Sequence, residues 1–283
     1  MPYLMHIGFD NPFRLGWNVH YFEYSGIRFK LVQNNPRKWA DVLLTIVDTI
    51  DGPAAQRAYT VAGEFASAVS WEFDVGTAIH DVVGGPGVRR TFRLRQARCV
   101  SFVFPRIPFR GMHIGYGISR IARITNEQQK IGLTLYREAL GSNKVLMSLL
   151  LNWQIMEILG NSPVNWVNTV ARREPQVFVG VHRQLNELPL QGRSLGVYLL
   201  EDCRHAIAHI RRHAGRRALK FNDMEENERL WRSARVTRAL ARHYIRTELG
   251  VAEKLHLVRP HAGGFPRYLD QDTLKKGWYR GVR

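Results

Sequence analysis

Residues 203–215, CRHAIAHIRRHAG, combine Arg204 with three histidines, His205, His209 and His213. Side chains spaced by four residues share one side of a helix, and a neutral imidazole there can accept a proton or bind a metal ion. A guanidinium on the same helix can bind phosphate. Three hypotheses follow: a solvated basic helix surface, a histidine metal site, and a site that cleaves RNA.

The metal hypothesis uses His205 and His209, one helical turn apart, with Glu201 or His213 completing the ligand set. The HxxxH spacing lacks the glutamate of the catalytic HExxH motif. A second cluster of metal-ligating residues is not evident elsewhere in the sequence. We therefore expect neither a metal ion nor another cofactor, and the metal site stays as the weaker alternative.

The RNA-cleavage hypothesis uses Arg204 and His209. The imidazole can take the proton of a ribose 2′-hydroxyl, and the guanidinium can neutralise the charge that grows on the attacked phosphate. Five residues on an ideal α-helix are separated by about 140° around the axis. The spacing therefore predicts that one chain presents only half of such a site.

The charge of the whole chain indicates a polyanionic partner. Lysine and arginine number 41 against 24 aspartates and glutamates, which gives a net charge of +17. Arginine supplies most of the excess, and its forked guanidinium suits phosphate. Charge informs about binding and not about fold. We therefore expect a nucleic-acid partner, and the alternative is a soluble protein that is merely basic.

The two cysteines, Cys99 and Cys203, are too few and too far apart for a disulfide framework or a zinc ribbon. The first residues lack a basic segment followed by an apolar run, and the apolar stretch 145–153 is too short to span a bilayer. We therefore expect a cytoplasmic protein with no membrane association.

Residues 1–124 are predicted to form a strand-rich domain. Apolar and polar residues alternate in three stretches, at 26–32, 91–95 and 99–104. Residues 36–50 show helical spacing of apolar residues and are predicted to be a single helix on the sheet. The segments DGP at 51 and GGPG at 84–87 are predicted loops, and the latter lacks the lysine of a P-loop.

Residues 125–250 are predicted to form an antiparallel helical bundle, followed by a basic tail at 251–283. Thr125 is the predicted N-cap of a first helix that ends at Gly141. Next come an apolar helix at 143–160, short helical pieces within 163–193, a helix from Ser194 to Gly215, and a last helix over about 223–249. The predicted fold class is α+β.

Two helices separate apolar from polar side chains when about 100° is allotted per residue. The helix after Ser194 has a predicted buried side (Leu199, Cys203, Ala206, Ile207, Ile210) and a predicted polar side (Tyr198, Glu201, Asp202, Arg204, His205, His209, Arg212, His213). The last helix has a predicted buried side (Leu230, Ala234, Thr237, Leu240, Ala241, Tyr244, Ile245) and a predicted outer side (Arg229, Arg232, Arg235, Arg238, Arg242, Arg246). Four aromatic residues could stack on bases but are more typical of a bundle core: Tyr136, Trp153, Trp166 and Trp231.

The segment Arg204-His-Ala-Ile-Ala-His209 resembles the R-polar-x-x-x-H motif of HEPN domains, small helical bundles of prokaryotic toxins, antiphage effectors and RNA-processing enzymes. Its position between an upstream apolar helix and a closing helix is also similar. The run from Asp202 to Gly250 resembles the C-terminal half of MauJ-type proteins of methylamine-utilisation clusters, which place a strand-rich domain before the bundle. The resemblance covers about residues 125–250.

The resemblance implies a metal-independent endoribonuclease that works as a homodimer and leaves a cyclic phosphate and a 5′-hydroxyl. His209 would be the general base, Arg204 the phosphate stabiliser and His205 the polar residue that orients the site. From their spacing, we expect Glu201 and Asp202 to support the site by fixing a histidine tautomer. The residues expected to contact RNA are Arg211, Arg212, His213, Arg235, Arg238 and Arg242.

On this hypothesis the protein is a toxin or antiphage effector, with an antitoxin or regulatory protein as a further partner. The N-terminal domain would sense a trigger or position a substrate. Some HEPN domains are inactive, so a non-catalytic nucleic-acid-binding or assembly protein is the alternative.

Overall fold

The computed structural model describes most of the chain. The described residues are 3–10, 13–14, 19–32, 41–49, 51–86, 107–108, 121–122, 124–208, 223–251 and 259–260. They divide into two compact units, one formed by Met1–Ile124 with Ala252–Arg283 and the other by Thr125–Val251. An antiparallel sheet in the first unit and helices in the second confirm the predicted α+β class.

The first unit contains a six-stranded antiparallel sheet with the order β6-β1-β5-β4-β3-β8. Its elements are β1 (Tyr3–Asp10), β2 (Phe13–Arg14), β3 (Val19–Tyr24), β4 (Ile27–Val32), β5 (Asp41–Val47), α1 (Pro53–Phe73), β6 (Ala78–Pro86), β7 (Ile107–Pro108) and β8 (Arg259–Pro260). The short strands β2 and β7 pair in parallel as a separate ladder. Strand β4 confirms the strand predicted at 26–32, although its last four residues are all buried, whereas 91–95 and 99–104 lie outside the described residues.

The predicted helix at 36–50 is wrong over its described part, because Asp41–Val47 forms strand β5, while 36–40 lie outside the described residues. This strand pairs with β1 on one edge and β4 on the other, and nearly all of its residues are buried. A strand covered on both faces shows a continuous apolar run, so the period of two that identifies a strand is missing. Its Val, Thr and Ile residues favour the extended conformation.

Helix α1 was not predicted, although it provides one side of the first core. Gly52 is its N-cap and Pro53 its first residue, so the DGP segment begins a helix instead of a loop. Phe65 of α1 stacks on Phe22 of β3, with 4.6 Å between ring centroids. The loop predicted at 84–87 is also wrong as far as it is described, because Gly84, Gly85 and Pro86 pair with β1. Proline is tolerated there because β6 is an edge strand of the sheet that the described residues form.

The second unit is helical. Its elements are α2 (Glu127–Gly141), α3 (Val145–Glu157), α4 (Pro163–Arg173), a 3₁₀ segment (Pro175–Val181), α5 (His182–Asn186), α6 (Leu195–Tyr198), a π-helical segment (Leu199–His205), α7 (Ala206–Ala208) and α8 (Met224–Thr247). Asn126, not Thr125, is the N-cap of α2, since its side chain accepts a hydrogen bond from the Gln129 amide. Among the described helices, none combines the length and apolar character needed to cross a membrane.

Helix α3 lies centrally, in contact with α2, α4 and α8, and buries Leu149, Trp153, Ile155 and Met156. The predicted buried side of α8 is confirmed, since all seven of its residues are buried. The predicted stop at Gly250 is also confirmed, because this glycine has a φ of 66°, which side-chain-bearing residues adopt only at a cost.

Candidate functional site

The segment that carries Arg204 is helical but not uniformly α-helical. Ser194 is the N-cap of α6 as predicted, and the chain then widens into π-helical turns over Leu199–His205 before α7. Short π-helical insertions in α-helices occur often at functional sites. Glu201, Asp202, Arg204 and His205 are on this segment, whereas His209, Arg211, Arg212 and His213 lie outside the described residues.

The π-helical turn corrects the predicted faces of this helix. The helical period predicts Tyr198 on the polar side, but its side chain is fully buried together with Leu199 and Cys203. One extra residue in a turn rotates the preceding side chains by about 100° relative to those that follow. That rotation moves Tyr198 from the predicted polar arc into the buried one, while Arg204 stays half-buried.

A buried arginine on α8 anchors this segment. The guanidinium of Arg229 donates two hydrogen bonds to the Glu226 carboxylate, at 2.7 and 3.0 Å. It also donates to the Tyr198 hydroxyl at 2.8 Å, the Asp202 backbone oxygen at 3.2 Å and the Cys203 sulfur at 3.6 Å. All five N–H donors of the guanidinium therefore have acceptors, and three of these acceptors belong to the segment that bears Arg204.

Burial and hydrogen bonding shift the pKa of Arg229 in this cluster in opposite directions. Burial alone would lower the pKa of Arg229, but the hydrogen bonds to Glu226 and Tyr198 raise it above its usual value. Burial raises the pKa of the Cys203 thiol, so Cys203 stays protonated. The cluster is thus a charged pair with neutral hydrogen-bonding neighbours.

The predicted position of Arg229 on the outer side of α8 is wrong, because the residue is only 5% exposed. The helical period alone missed this role. The signal that could have found it is the spacing from Glu226 to Arg229, since opposite charges three residues apart on a helix attract each other.

Arg204 lies at the surface of the second unit, beside the last turn of α3. Its side chain is 29% exposed, and its Nη2 is 3.6 Å from Oε1 of Glu157. The same Glu157 oxygen accepts a hydrogen bond from Nε1 of Trp153 at 2.8 Å. Trp153 thus holds the Glu157 carboxylate where it faces the Arg204 guanidinium.

Asp202 forms a fork-like pair with Arg193, in which both carboxylate oxygens accept hydrogen bonds, one of them at 2.8 Å from Nη1. The Arg193 guanidinium also lies over the Tyr198 ring, 5.8 Å from its centroid. The Asp202 carboxylate therefore braces the loop before α6. Its expected role toward a histidine stays a prediction, as does that of the half-buried Glu201.

The described residues contain no group of three or more His, Cys, Asp or Glu side chains that could hold a metal ion. His205 is half-buried. Its two proposed partner ligands, His209 and His213, are outside the described residues, so the metal alternative is not tested.

The outer side of α8 carries the remaining predicted RNA-contacting residues. Arg235 is exposed, and Arg238 and Arg242 are half-exposed. The Arg235 guanidinium lies over the Trp231 ring, 5.7 Å from its centroid. Tyr136 and Trp153 are core residues as predicted, but the prediction for Trp231 is wrong, since it is 44% exposed.

These features define the class of the protein: an α+β protein whose helical unit presents an arginine on a π-helical segment fixed by a buried ion pair. Residues 133–246 match the family described as methylamine utilization protein MauJ, so the chain is MauJ-like over most of its helical unit. The match includes both Arg204 and Arg229. No curated protein and no solved structure matches the chain.

Proposed function

We propose that the protein is a metal-independent endoribonuclease of the HEPN type. In the proposed reaction, His209 takes the proton of a ribose 2′-hydroxyl as its oxygen attacks the adjacent phosphorus. The bond from phosphorus to the 5′-oxygen breaks, the leaving oxygen takes up a proton, and a cyclic phosphate and a 5′-hydroxyl result. Arg204 stabilises the charge on the phosphate, and His205 helps to orient the site.

The placement of Arg204 carries this proposal. The side chain is partly exposed at 29%, and the 3.6 Å separation from Glu157 exceeds normal hydrogen-bond length. The guanidinium can therefore turn toward a phosphate without breaking a buried contact. The backbone beneath it is held by Arg229, which limits the entropy lost when the substrate binds.

The proposed enzyme is a cytoplasmic homodimer in which two copies of Arg204 and His209 share one cleft. Its first unit would sense a trigger or position the substrate. A toxin or antiphage role, held in check by an antitoxin or regulatory protein, is part of this proposal.

The test is incubation of the purified full-length protein with labelled tRNA and mixed RNA in EDTA. We expect cleavage products with a cyclic phosphate and a 5′-hydroxyl. His209→Ala and Arg204→Ala should each reduce the rate by about 10²- to 10⁴-fold. His182→Ala and Arg183→Ala are matched controls, because both residues are exposed on α5. Absence of wild-type cleavage, or unchanged cleavage by His209→Ala, would refute the proposal.

A second candidate is a non-catalytic RNA-binding or assembly protein. The outer side of α8, with Arg235, Arg238 and Arg242, favours it because successive turns of one helix can follow a phosphate backbone. It predicts steeply salt-dependent binding without turnover. Arginine substitutions on α8 would then weaken binding more than His209→Ala does, and binding that stays constant from low to moderate salt would exclude this candidate.

A further inference from the structure

Trp231 is an exposed aromatic residue with a cation on its ring. Its side chain is 44% exposed in a helix whose other large apolar residues are mostly buried. The Arg235 guanidinium, one turn later, is 5.7 Å from the ring centroid. A tryptophan held by an arginine keeps its ring orientation while a second molecule stacks on its free surface.

These two residues belong to one outer stripe of α8. At about 100° per residue, the stripe occupies an arc of about 80°, opposite the buried side. Its members are Met224, Glu228, Trp231, Arg235, Arg238, Arg242 and Arg246. The Glu228 carboxylate is paired with Arg232, a neighbour just outside the stripe. The stripe therefore presents a positive surface with one aromatic ring at its centre.

The chemistry of the stripe favours single-stranded RNA as its occupant. Every unpaired base offers a π-face for stacking, and the linked phosphates match the arginines on the following turns. In an RNA duplex the base faces are covered by their neighbours, and its major groove is too deep and narrow for side chains to read. Tryptophan, methionine and arginine are also enriched at protein interfaces, so contact with a second protein is the competing outcome, but arginines repeated on successive turns of one helix match the regular spacing of a phosphate backbone.

We propose that Trp231 and Arg235 form a base-stacking subsite for single-stranded RNA, with Arg238 and Arg242 contacting the adjoining phosphates. The inference rests on the proposed function, because it names the form of RNA that the protein engages. The length from Trp231 to Arg242 is about 16 Å along the helix at about 1.5 Å per residue, so the contact covers several nucleotides.

The experiment measures binding of labelled RNA by fluorescence anisotropy, in full-length protein carrying His209→Ala to prevent cleavage. The two probes are an oligouridine strand and the same strand paired with oligoadenine. Trp231→Leu should weaken binding of the single strand at least about fivefold, whereas Trp231→Phe should keep most of the affinity. Binding of the duplex should be unchanged by either substitution.

Arg235→Gln tests the cationic half of the subsite. It should weaken binding because the Trp231 ring is then no longer held, whereas Arg238→Gln, which removes one phosphate contact to a single strand, should reduce the slope of log affinity against log salt by about 0.7. Arg173→Gln is the charge-matched control, because Arg173 is exposed at the end of α4 and is not a member of the stripe. It should leave both quantities nearly unchanged.

Two binding results would overturn the inference: a single-strand affinity that Trp231→Leu does not change, or an equal loss of affinity for both probes. A third is a change from dimer to monomer when Trp231→Leu is compared with the wild type by sedimentation. The last would identify the stripe as a contact between copies of the chain. The two proposals fail separately. If binding depends on Trp231 but the wild type does not cleave RNA, only the proposed nuclease activity is refuted. If cleavage depends on His209 but Trp231→Leu has no effect on binding, only the proposed subsite is refuted.

Discussion

The Glu157 carboxylate faces the Arg204 guanidinium at 3.6 Å, and a hydrogen bond from Trp153 fixes it there. This carboxylate competes with any phosphate that approaches Arg204. The pair is about one third exposed on both sides, and exposed ion pairs contribute only about 0–1 kcal/mol. A phosphate can therefore displace Glu157 at little cost.

Glu157→Gln should strengthen RNA binding by about two- to fivefold, because it removes one repulsive charge of modest energy. Glutamine can still accept the hydrogen bond from Trp153, so the free energy of unfolding should change by less than about 1 kcal/mol. Anisotropy with labelled RNA measures the first quantity and urea denaturation the second. Glu127→Gln is the control, since Glu127 is 74% exposed at the start of α2. An equal gain with both substitutions, or a gain that persists without Arg204, would contradict this prediction.

Arg229→Met should destabilise the helical unit by about 3–5 kcal/mol, because it leaves the carboxylate of Glu226 buried without its partner. The two side chains are 6% and 1% exposed. The double variant with Glu226→Met should recover much of the loss, since no buried charge then remains. Urea denaturation measures all three proteins.

Arg232→Met is the matched control on the same helix. Arg232 pairs with Glu187 and Glu228 at a partly exposed position, so its loss should cost no more than about 1 kcal/mol. If Arg229→Met and Arg232→Met lower the free energy of unfolding equally, burial does not make the pair of Arg229 and Glu226 more important for stability than an exposed pair.

Gly196→Ala should destabilise the protein by about 1–3 kcal/mol, because helices α4 and α6 touch at this glycine. A Cβ atom at Gly196 would lie 2.5 Å from the backbone oxygen of Val164, and a backbone atom cannot move aside easily. Gly180→Ala is the control, since nothing lies within 4 Å of the added Cβ. Thermal unfolding compares the two; a gain in stability for Gly196→Ala would show that α4 and α6 can separate freely.

Repeated patterns made the larger elements predictable. Along the long helix α8, apolar residues such as Leu230 and Tyr244 recur at helical spacing, and both are buried as expected. The prediction for β5 was wrong for the opposite reason. Burial on both faces removes the alternation of apolar and polar residues that distinguishes a strand from a helix.

The site was less predictable, because single residues changed its geometry. The π-helical turn moved Tyr198 inward, and hydrophobic spacing does not encode such an insertion. Three of the five acceptors of Arg229 belong to residues distant in sequence, with Tyr198 31 positions away, so the helical period of α8 alone does not reveal that Arg229 is buried. Arg204 is expected on the polar side and is partly exposed at 29%, but it lies within the π-helical segment, so ideal α-helical spacing does not fix its direction.

His6 provides a prediction for the pH dependence of stability. It lies on β1, is 1% exposed, and burial lowers its pKa to about 4. In the unfolded chain a histidine has a pKa of about 6.5, so below that pH the unfolded state binds a proton that the folded state resists. Stability is therefore lost as the pH falls from about 6.5 to about 4, by about 3 kcal/mol from this group.

Urea denaturation at several pH values between about 7 and 4 tests this contribution. His6→Leu should remove the contribution of His6 to the slope of the free energy of unfolding against pH, because no group then titrates at that position. This holds whatever the substitution does to stability at neutral pH. His182→Leu is the matched control, since His182 is exposed on α5. If the wild type and His6→Leu lose stability in parallel as the pH falls, other groups cause the acid sensitivity. The prediction that buried His6 resists protonation in the folded state is then wrong.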